Sequence, residues 1–372
     1  MAQQHFIPKK YNSTIDSGKV SWESPSNIAL IKYWGKKKDQ IPENPSISFT
    51  LKNCKTITTV SFSKKETQAY FSFEVFLDGE KKDDFKPKIE TFFERVEVYL
   101  PFLRAYHFKI ETENTFPHSS GIASSASGMS ALALCLMSIE KQLIEANNAL
   151  GAVERPFNEA YFNQKASFLA RLGSGSACRS IEGDLIVWGK TKQIEGSSDL
   201  FGVKYPYKVH GNFKDFQDTI LLVDKGEKQV SSTVGHKLMH NHPYAKNRFR
   251  QAHDNFETLK PILESGNLKA FIQLMESEAL TLHAMMMTSM PYFILMKPNT
   301  LEIINKIWKF RQKTNVHIGF TLDAGANVHI LYPKNETAKI LEFIKNELVA
   351  HCQNGHYICD QIGFGARLIK NE

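Results

Sequence analysis

Asp323 closes an alternating apolar run, Val316, Ile318, Phe320 and Leu322, and that alternation marks a half-buried strand. Such a strand delivers Asp323 to its end, where a carboxylate aimed into a cleft can accept or orient a proton. The residues that follow, through Asn327, equally suit an Asp-initiated turn in which Gly325 supplies positive φ. A second segment, residues 25–36, sets Lys32 and Lys36 on either side of Tyr33 and Trp34. Two cations with aromatic walls can hold an anion away from water; a strand end with solvated lysines has the same composition. A third, Ser-Gly-Ser-Ala-Cys-Arg at 174–179, puts Arg179 shortly after Ser174 and Ser176. The planar fork of arginine fits a carboxylate or phosphate, and an exposed turn arginine is the plainer alternative. The fourth, residues 117–127, carries five serines and Gly121 ahead of an Ala/Leu-rich helix from Gly128. Small residues and free N–H groups at a helix start favour polyphosphate, although serine is also a preferred helix cap. No Gly-Lys-Ser/Thr follows, so this is not a Walker A loop.

These groups need elements that bring them together. Alternation predicts strands over 56–63, 70–77, 107–113 and 184–188, with helices over 87–99, 128–143 and 158–171. Mixed turn residues over 189–211 suggest a crossing between lobes, and the chain divides into residues 1–200 and 201–372. Beyond the crossing, strands are expected at 219–224, 317–323 and 328–332, and helices at 244–264, 268–287, 300–314 and 338–351. No repeat or low-complexity tract interrupts this order.

Composition narrows the classes. The 372 residues exceed a single typical core and suggest two lobes. A net charge of +7 and a pI near 8.9 suit polyanionic small substrates. Lysine runs such as 36–38 are short and acid-flanked, so nucleic acid need not be invoked. No stretch approaches the ~20 apolar residues of a membrane span, and residues 1–19 lack the apolar core of a signal peptide. Five cysteines without a CxxC pair indicate reduced thiols and a cytoplasmic setting. His351, Cys352, His356 and Cys359 match no usual zinc spacing, and Met285–Met287 read as packing rather than as metal ligands. His283 reads as a satisfied structural histidine beside the site.

Taken together, the four segments resemble the diphosphomevalonate decarboxylases, a branch of the GHMP small-molecule kinase superfamily. The family's Asn-Ile-Ala-x-x-Lys-Tyr-Trp-Gly-Lys stands at residues 27–36, and its Gly/Ser-rich ATP loop at 121–128. Its Ser-Gly-Ser-Ala-Cys-Arg-Ser is unchanged at 174–180, and its Asp-Ala-Gly-Pro-Asn stands at 323–327 with Ala326 in place of proline. A weaker Ser-Ser-Thr match falls at 231–233. The lysine-tryptophan and serine-arginine pieces are specific to the decarboxylase branch.

The resemblance implies an α+β, two-lobed GHMP-kinase fold. Its N-terminal ATP-binding lobe is ribosomal protein S5 domain 2-like, its C-terminal lobe is α/β, and the active site lies in the cleft between them. It implies ATP-dependent decarboxylation of mevalonate 5-diphosphate to isopentenyl diphosphate, with ATP and magnesium. In that reading Asp323, Lys32 and Arg179 are catalytic, Arg179 clamping the substrate carboxylate. Asn27, Tyr33, Lys36, Ser174 and Ser176 join Arg179 in binding substrate. Ser120, Gly121, Ala123, Ser124, Ser125 and Ser127 face ATP, with Ser125 also on the metal. Two departures stand out. A family arginine has only Lys88 or Lys86 as counterpart, and Glu182 and Asp184 replace neutral residues and are expected to face away. The family also implies a homodimer, a small-molecule substrate, and no nucleic-acid or membrane partner. Action on mevalonate 5-phosphate, 3-phosphorylation without decarboxylation, another GHMP kinase activity, and a non-catalytic nucleotide binder are the alternatives.

Overall fold

In the computed structural model, residues 3–8, 14–117, 122–149, 158–225 and 232–372 are described. Its two longest strands, Ser17–Ile31 and Ser46–Lys64, pair antiparallel over most of their length. The second alternates from Cys54 onward, with Thr56, Thr58, Val60 and Phe62 inward beneath helix Ser124–Ala149. Its first six residues, Ser46 to Leu51, are buried throughout, because both faces are covered there. Phe49 and Leu51 pack with Phe213, Phe216, Phe256 and Phe271 from the other half of the chain. Each fully buried side chain of this size contributes about 1.5–3 kcal/mol of transfer free energy, so the halves share one core rather than touching at a surface.

Eight strands of the described residues form the first sheet. Ser17–Ile31, Ser46–Lys64, Tyr106–Asn114 and Ser72–Leu77 lie side by side, the last two parallel and joined through helix Lys86–Val96. Leu185–Trp188 extends the sheet from the buried start of Ser46–Lys64. At the opposite edge Arg367–Asn371 returns from the chain's end to pair with Ser17–Ile31. A strand from the last residues of the chain is therefore built into the first lobe.

The second sheet has the order Tyr357–Gln361, Gln217–Leu221, Val328–Tyr332, Gly319–Thr321, antiparallel throughout. Ile220 and Leu331 face helices Ala245–Ser265 and Leu268–Met287. Leu221, Ile330 and Tyr332 face Pro298–Thr314 and Thr337–Phe343. Among the described residues, no helix is long and apolar enough to cross a membrane.

Several expected boundaries move: the strand expected over 56–63 begins at Ser46, that expected over 317–323 covers only Gly319–Thr321, and two helices change. The helix expected from Gly128 starts at Ser124, since Ala123 takes φ 47° and its carbonyl receives the Ala126 N–H at 2.7 Å. Three serines thereby enter the first helical turn. The helix expected over 338–351 is α-helical only as Thr337–Phe343, widens through Ile344–Leu348 and tightens at Val349–His351.

Candidate active site

Asp323 lies two residues beyond strand Gly319–Thr321, in the turn before Val328–Tyr332. Lys32, just past the end of Ser17–Ile31, donates from Nζ to Asp323 Oδ1 at 3.1 Å. The lysine is 2% exposed and the aspartate 27%, so the pair sits at the floor of an opening rather than in the core. Burial holds the ammonium below the ordinary lysine range, with the Asp323 charge opposing that shift. The turn is pinned from behind. His283 Nε2 donates to the Asp323 carbonyl at 3.1 Å, and the Gly325 N–H reaches the same carbonyl at 2.7 Å. Thr300 Oγ1 donates to the Ala326 carbonyl at 2.7 Å, and Asn327 Oδ1 accepts from the Asp224 N–H at 2.9 Å. The turn that carries alanine where the resemblance expects proline is thus held by hydrogen bonds.

Lys32 is held by its backbone. Its N–H donates to Glu278 Oε2 at 2.8 Å, and its carbonyl accepts from Arg248 Nη2 at 3.1 Å and Asn44 Nδ2 at 2.9 Å. Arg248 and Glu278 form a two-pronged pair at 2.9 and 2.5 Å, with Asn255 donating to the same carboxylate. Glu278 is fully buried and Arg248 nearly so. None of these four residues belongs to a motif. The available signal was a charge on the buried stripe of each long helix, Ala245–Ser265 and Leu268–Met287.

Arg179 sits in the tight turn Gly175–Ser180 that follows helix Glu159–Gly173. It is 3% exposed, donating from Nε to Asn27 Oδ1 at 3.3 Å and from Nη1 to Ser46 Oγ. Asn27 in turn donates to Ser180 Oγ at 2.8 Å and the Ser176 carbonyl at 3.3 Å. It braces the arginine and does not line the opening. Gly175 is required here, since a Cβ would stand 2.9 Å from Tyr33 Oη and from the Trp188 ring.

One cavity of about 290 Å³ brings together Lys32, Tyr33, Lys36, Ser174, Ser176, Arg179 and Asp323, with Ala123 and Ser125 at the helix start. Ser125 and Ser174 face each other at 3.5 Å between hydroxyls. Ser124 stands next to this wall without lining it. Ser127 is turned away: it is buried, 2.6 Å from Thr56 Oγ1, and donates to the Ser124 carbonyl. Ser120, Gly121 and Ser231 lie outside the described residues. Lys88 lines the cavity, whereas Lys86 pairs with Asp83 at 2.8 Å. Glu182 and Asp184 are exposed and outside the lining, the latter 3.8 Å from Lys204.

Four basic side chains, Lys32, Lys36, Lys88 and Arg179, and one carboxylate line the space. A polyanion is the ligand this balance suits. Among the described residues no group of three His, Cys, Asp or Glu could hold a metal by itself. The protein oxygens in the lining, Ser125 and Asp323 among them, suit magnesium, which is commonly held by one or two carboxylates together with substrate phosphates.

Sequence reasoning also missed His236, from the helix Ser232–Lys237, which lines the same cavity. Burial pushes its imidazole down to about 3 and that of His283 down to about 4. Both rings are therefore neutral in the folded protein and would charge in the unfolded chain at an ordinary 6.5. Their stabilisation is fully present above pH 6.5 and is lost as pH falls toward 4. Each group contributes about 1.4 kcal/mol per pH unit within that window. Urea unfolding between pH 7 and 4.5 should show stability falling by about 2–3 kcal/mol per unit below pH 6. Replacing His283 with Gln should remove about half of that slope; an unchanged slope would refute the assignment.

Comparison with known proteins agrees with this geometry. Residues 24–200 match the model of the diphosphomevalonate decarboxylase-like N-terminal domain. Residues 219–363 match that of the mevalonate 5-diphosphate decarboxylase C-terminal domain. The diphosphomevalonate decarboxylase of Debaryomyces hansenii is 28% identical over 334 residues, 86% of this chain and 81% of that protein. The mevalonate diphosphate decarboxylase structure from Staphylococcus aureus superposes with a TM-score of 0.78 at 27% identity, covering 95% of this chain and 98% of the other. A structure described as MDDEF in complex with MVAPP, AMPPCP and magnesium gives 0.77 at 26% identity, covering 95% and 99%. The fold is thus the two-lobed GHMP type, mixed α and β. With both domain models matched in order and the Lys32–Asp323 contact lying where their lobes meet, the chain belongs to the diphosphomevalonate decarboxylase family.

Proposed function

We infer that this chain catalyses the ATP-dependent decarboxylation of mevalonate 5-diphosphate to isopentenyl diphosphate, carbon dioxide, ADP and phosphate. The observation that carries the reading is the 3.1 Å contact between Lys32 and Asp323 inside a cavity whose other charged lining side chains, Lys36, Lys88 and Arg179, are all cationic. A tertiary alcohol is a poor leaving group, so it must first become a phosphate ester. Asp323, whose side chain is 27% exposed at the cavity floor, accepts or orients the proton of that alcohol. Lys32 holds the carboxylate in place and offers positive charge to the transferred phosphoryl group. Arg179, fixed on one side by Asn27 and Ser46, clamps the substrate carboxylate until it leaves as carbon dioxide.

Tyr33 and Lys36, with Ser174 and Ser176, hold the diphosphate tail. Ala123, Ser124 and Ser125 form the helix start against the ATP phosphates. Ser120 and Gly121, from the preceding loop, belong to the same reading; Ser127 serves it only by anchoring the helix to Thr56. Ser125 is the protein oxygen that would reach magnesium, whose role is to neutralise phosphate charge when bound. A cytoplasmic enzyme is supported by five cysteines that are all free, and a homodimer by family membership.

The test supplies ATP and magnesium with either mevalonate 5-diphosphate or mevalonate 5-phosphate, following ADP and carbon dioxide together. Equal release of both products from the diphosphate alone is expected. ADP without carbon dioxide would make it a 3-kinase, activity on the monophosphate would move the specificity, and silence with both would sink the reading.

A further inference from the structure

His236 is a buried polar side chain in the cavity wall to which neither the sequence motifs nor the proposed roles give a task. It is 7% exposed and lies between two aromatic rings, 4.3 Å from Tyr33 and 4.6 Å from Trp34 between centroids. The Gly35 N–H donates to its Nδ1 at 2.9 Å. That bond settles the tautomer, because a ring nitrogen that accepts has no proton and the neutral ring must carry its hydrogen on Nε2. The seat is tightly built. Gly235, one residue earlier, leaves no room for a Cβ, which would stand 2.6 Å from the Trp34 ring.

Two polar groups meet at this point of the wall. Among the described residues the buried Tyr33 Oη has no partner, and the protein hydrogen-bonds the His236 ring through Nδ1, leaving Nε2 for whatever enters the cavity that the ring lines. A buried hydroxyl without a partner, as at Tyr33, is costly to keep. These adjacent donors, next to Lys36 and opening on a cationic cavity, are therefore placed for an anionic acceptor that arrives with the ligand. Lys36 and Arg179 both lie near enough to disfavour a charged imidazole, so the group that meets the anion is the neutral N–H.

We propose that His236 is a specificity-determining residue for the diphosphate tail, donating from Nε2 to it alongside Tyr33 Oη and Lys36. This rests on the substrate reading above and adds to it a donor from the second half of the chain. A tail bound at this position touches both halves, Tyr33 and Lys36 from the end of the first long strand and His236 from the short helix Ser232–Lys237.

His236→Met keeps apolar volume between the two rings but removes both nitrogens; His236→Gln keeps an acceptor for Gly35 and a donor for the tail. The experiment measures KM and kcat for mevalonate 5-diphosphate and KM for ATP in the wild type and both variants. Isothermal titration with inorganic pyrophosphate supplies a readout that needs no turnover. Hydrogen bonds to charged groups are strong enough that His236→Met should raise the KM for the diphosphate and the Kd for pyrophosphate about tenfold. Its kcat and ATP KM should stay within about twofold, and His236→Gln should recover most of the loss.

Unchanged diphosphate KM in the Met variant overturns the proposal, as does a rise in ATP KM instead. Equal losses in the Gln and Met variants, with equal drops in melting temperature, would also overturn it by making the ring a packing element. Should the wild type fail to decarboxylate while pyrophosphate binding still weakens in the Met variant, the anion-donor assignment stands and the substrate reading falls.

Discussion

Asp323→Asn should lower kcat by on the order of 10²–10⁴ while leaving ATP binding intact or slightly tighter. The substitution is nearly isosteric, and the carbonyl bonds from His283 and Gly325 that shape the turn are made to backbone and survive it. What disappears is the capacity to take a proton and a negative charge facing four basic side chains. Loss of that charge cannot repel a polyanion, so weakened ATP binding would argue for a collapsed turn rather than for missing chemistry. Lys32 should respond as well. Its ammonium is already held low by burial, and Asp323 is the strongest influence opposing that shift. Without the carboxylate the lysine moves further down, and residual activity should fall off at a lower pH on the alkaline side than in the wild type. Single-turnover ADP release and equilibrium ATP binding, measured on one preparation, decide the matter. More than about a tenth of wild-type turnover would remove Asp323 from the proton-handling role.

The parts of this site that were legible in the sequence are those fixed by local pattern. Alternation through Leu322 placed Asp323 at the end of a strand expected over 317–323; the strand stops earlier, at Thr321, and leaves Asp323 two residues beyond it. The Gly-Ser-Ala-Cys turn carried Arg179 to a buried position for a reason local spacing also encodes, since Gly175 alone fits against Tyr33. Motif membership misled where it ignored which face of an element a residue occupies. Ser127 shares the serine-rich stretch with Ser125, but at that point of the first turn its hydroxyl meets Thr56 rather than the cavity. Asn27 likewise belongs to the Lys32 motif while serving Arg179 from behind.

The residues that were not legible act across long separations. His236, Arg248 and Glu278 meet Gly35 and Lys32 only after the second lobe has docked, and nothing within a short window of sequence announces that. The closing strand Arg367–Asn371 was invisible for a different reason: it is an edge strand exposed on both faces, so it has no burial alternation to display. Lys88 is separated from Lys86 only in three dimensions, where Lys88 lines the cavity and Lys86 pairs with Asp83.

The Arg248–Glu278 pair carries the other large prediction. Glu278→Ala should cost about 3–5 kcal/mol, because it leaves a guanidinium buried without its partner. It also orphans the Lys32 N–H, whose only acceptor among the described residues is Glu278 Oε2 at 2.8 Å. A buried ion pair, however, is poor evidence for net stability. Desolvating both charges offsets much of their attraction, and apolar replacements of similar volume are often tolerated. Glu278→Leu combined with Arg248→Met should therefore be more stable than Glu278→Ala alone in urea unfolding. Activity should separate from stability in that double variant. The Lys32 carbonyl keeps Asn44 at 2.9 Å but loses Arg248, and its N–H has no acceptor, so the backbone that aims Nζ at Asp323 is released. Misplacement of about 1 Å costs on the order of a hundredfold in rate, and kcat should fall by about that much while the protein remains folded. A double variant that regained both stability and turnover would show the pair to be scaffolding alone. One that regained only stability would mean that two buried charges are kept, at a cost to folding, because together they hold both the N–H and the C=O of the one lysine that faces the catalytic carboxylate.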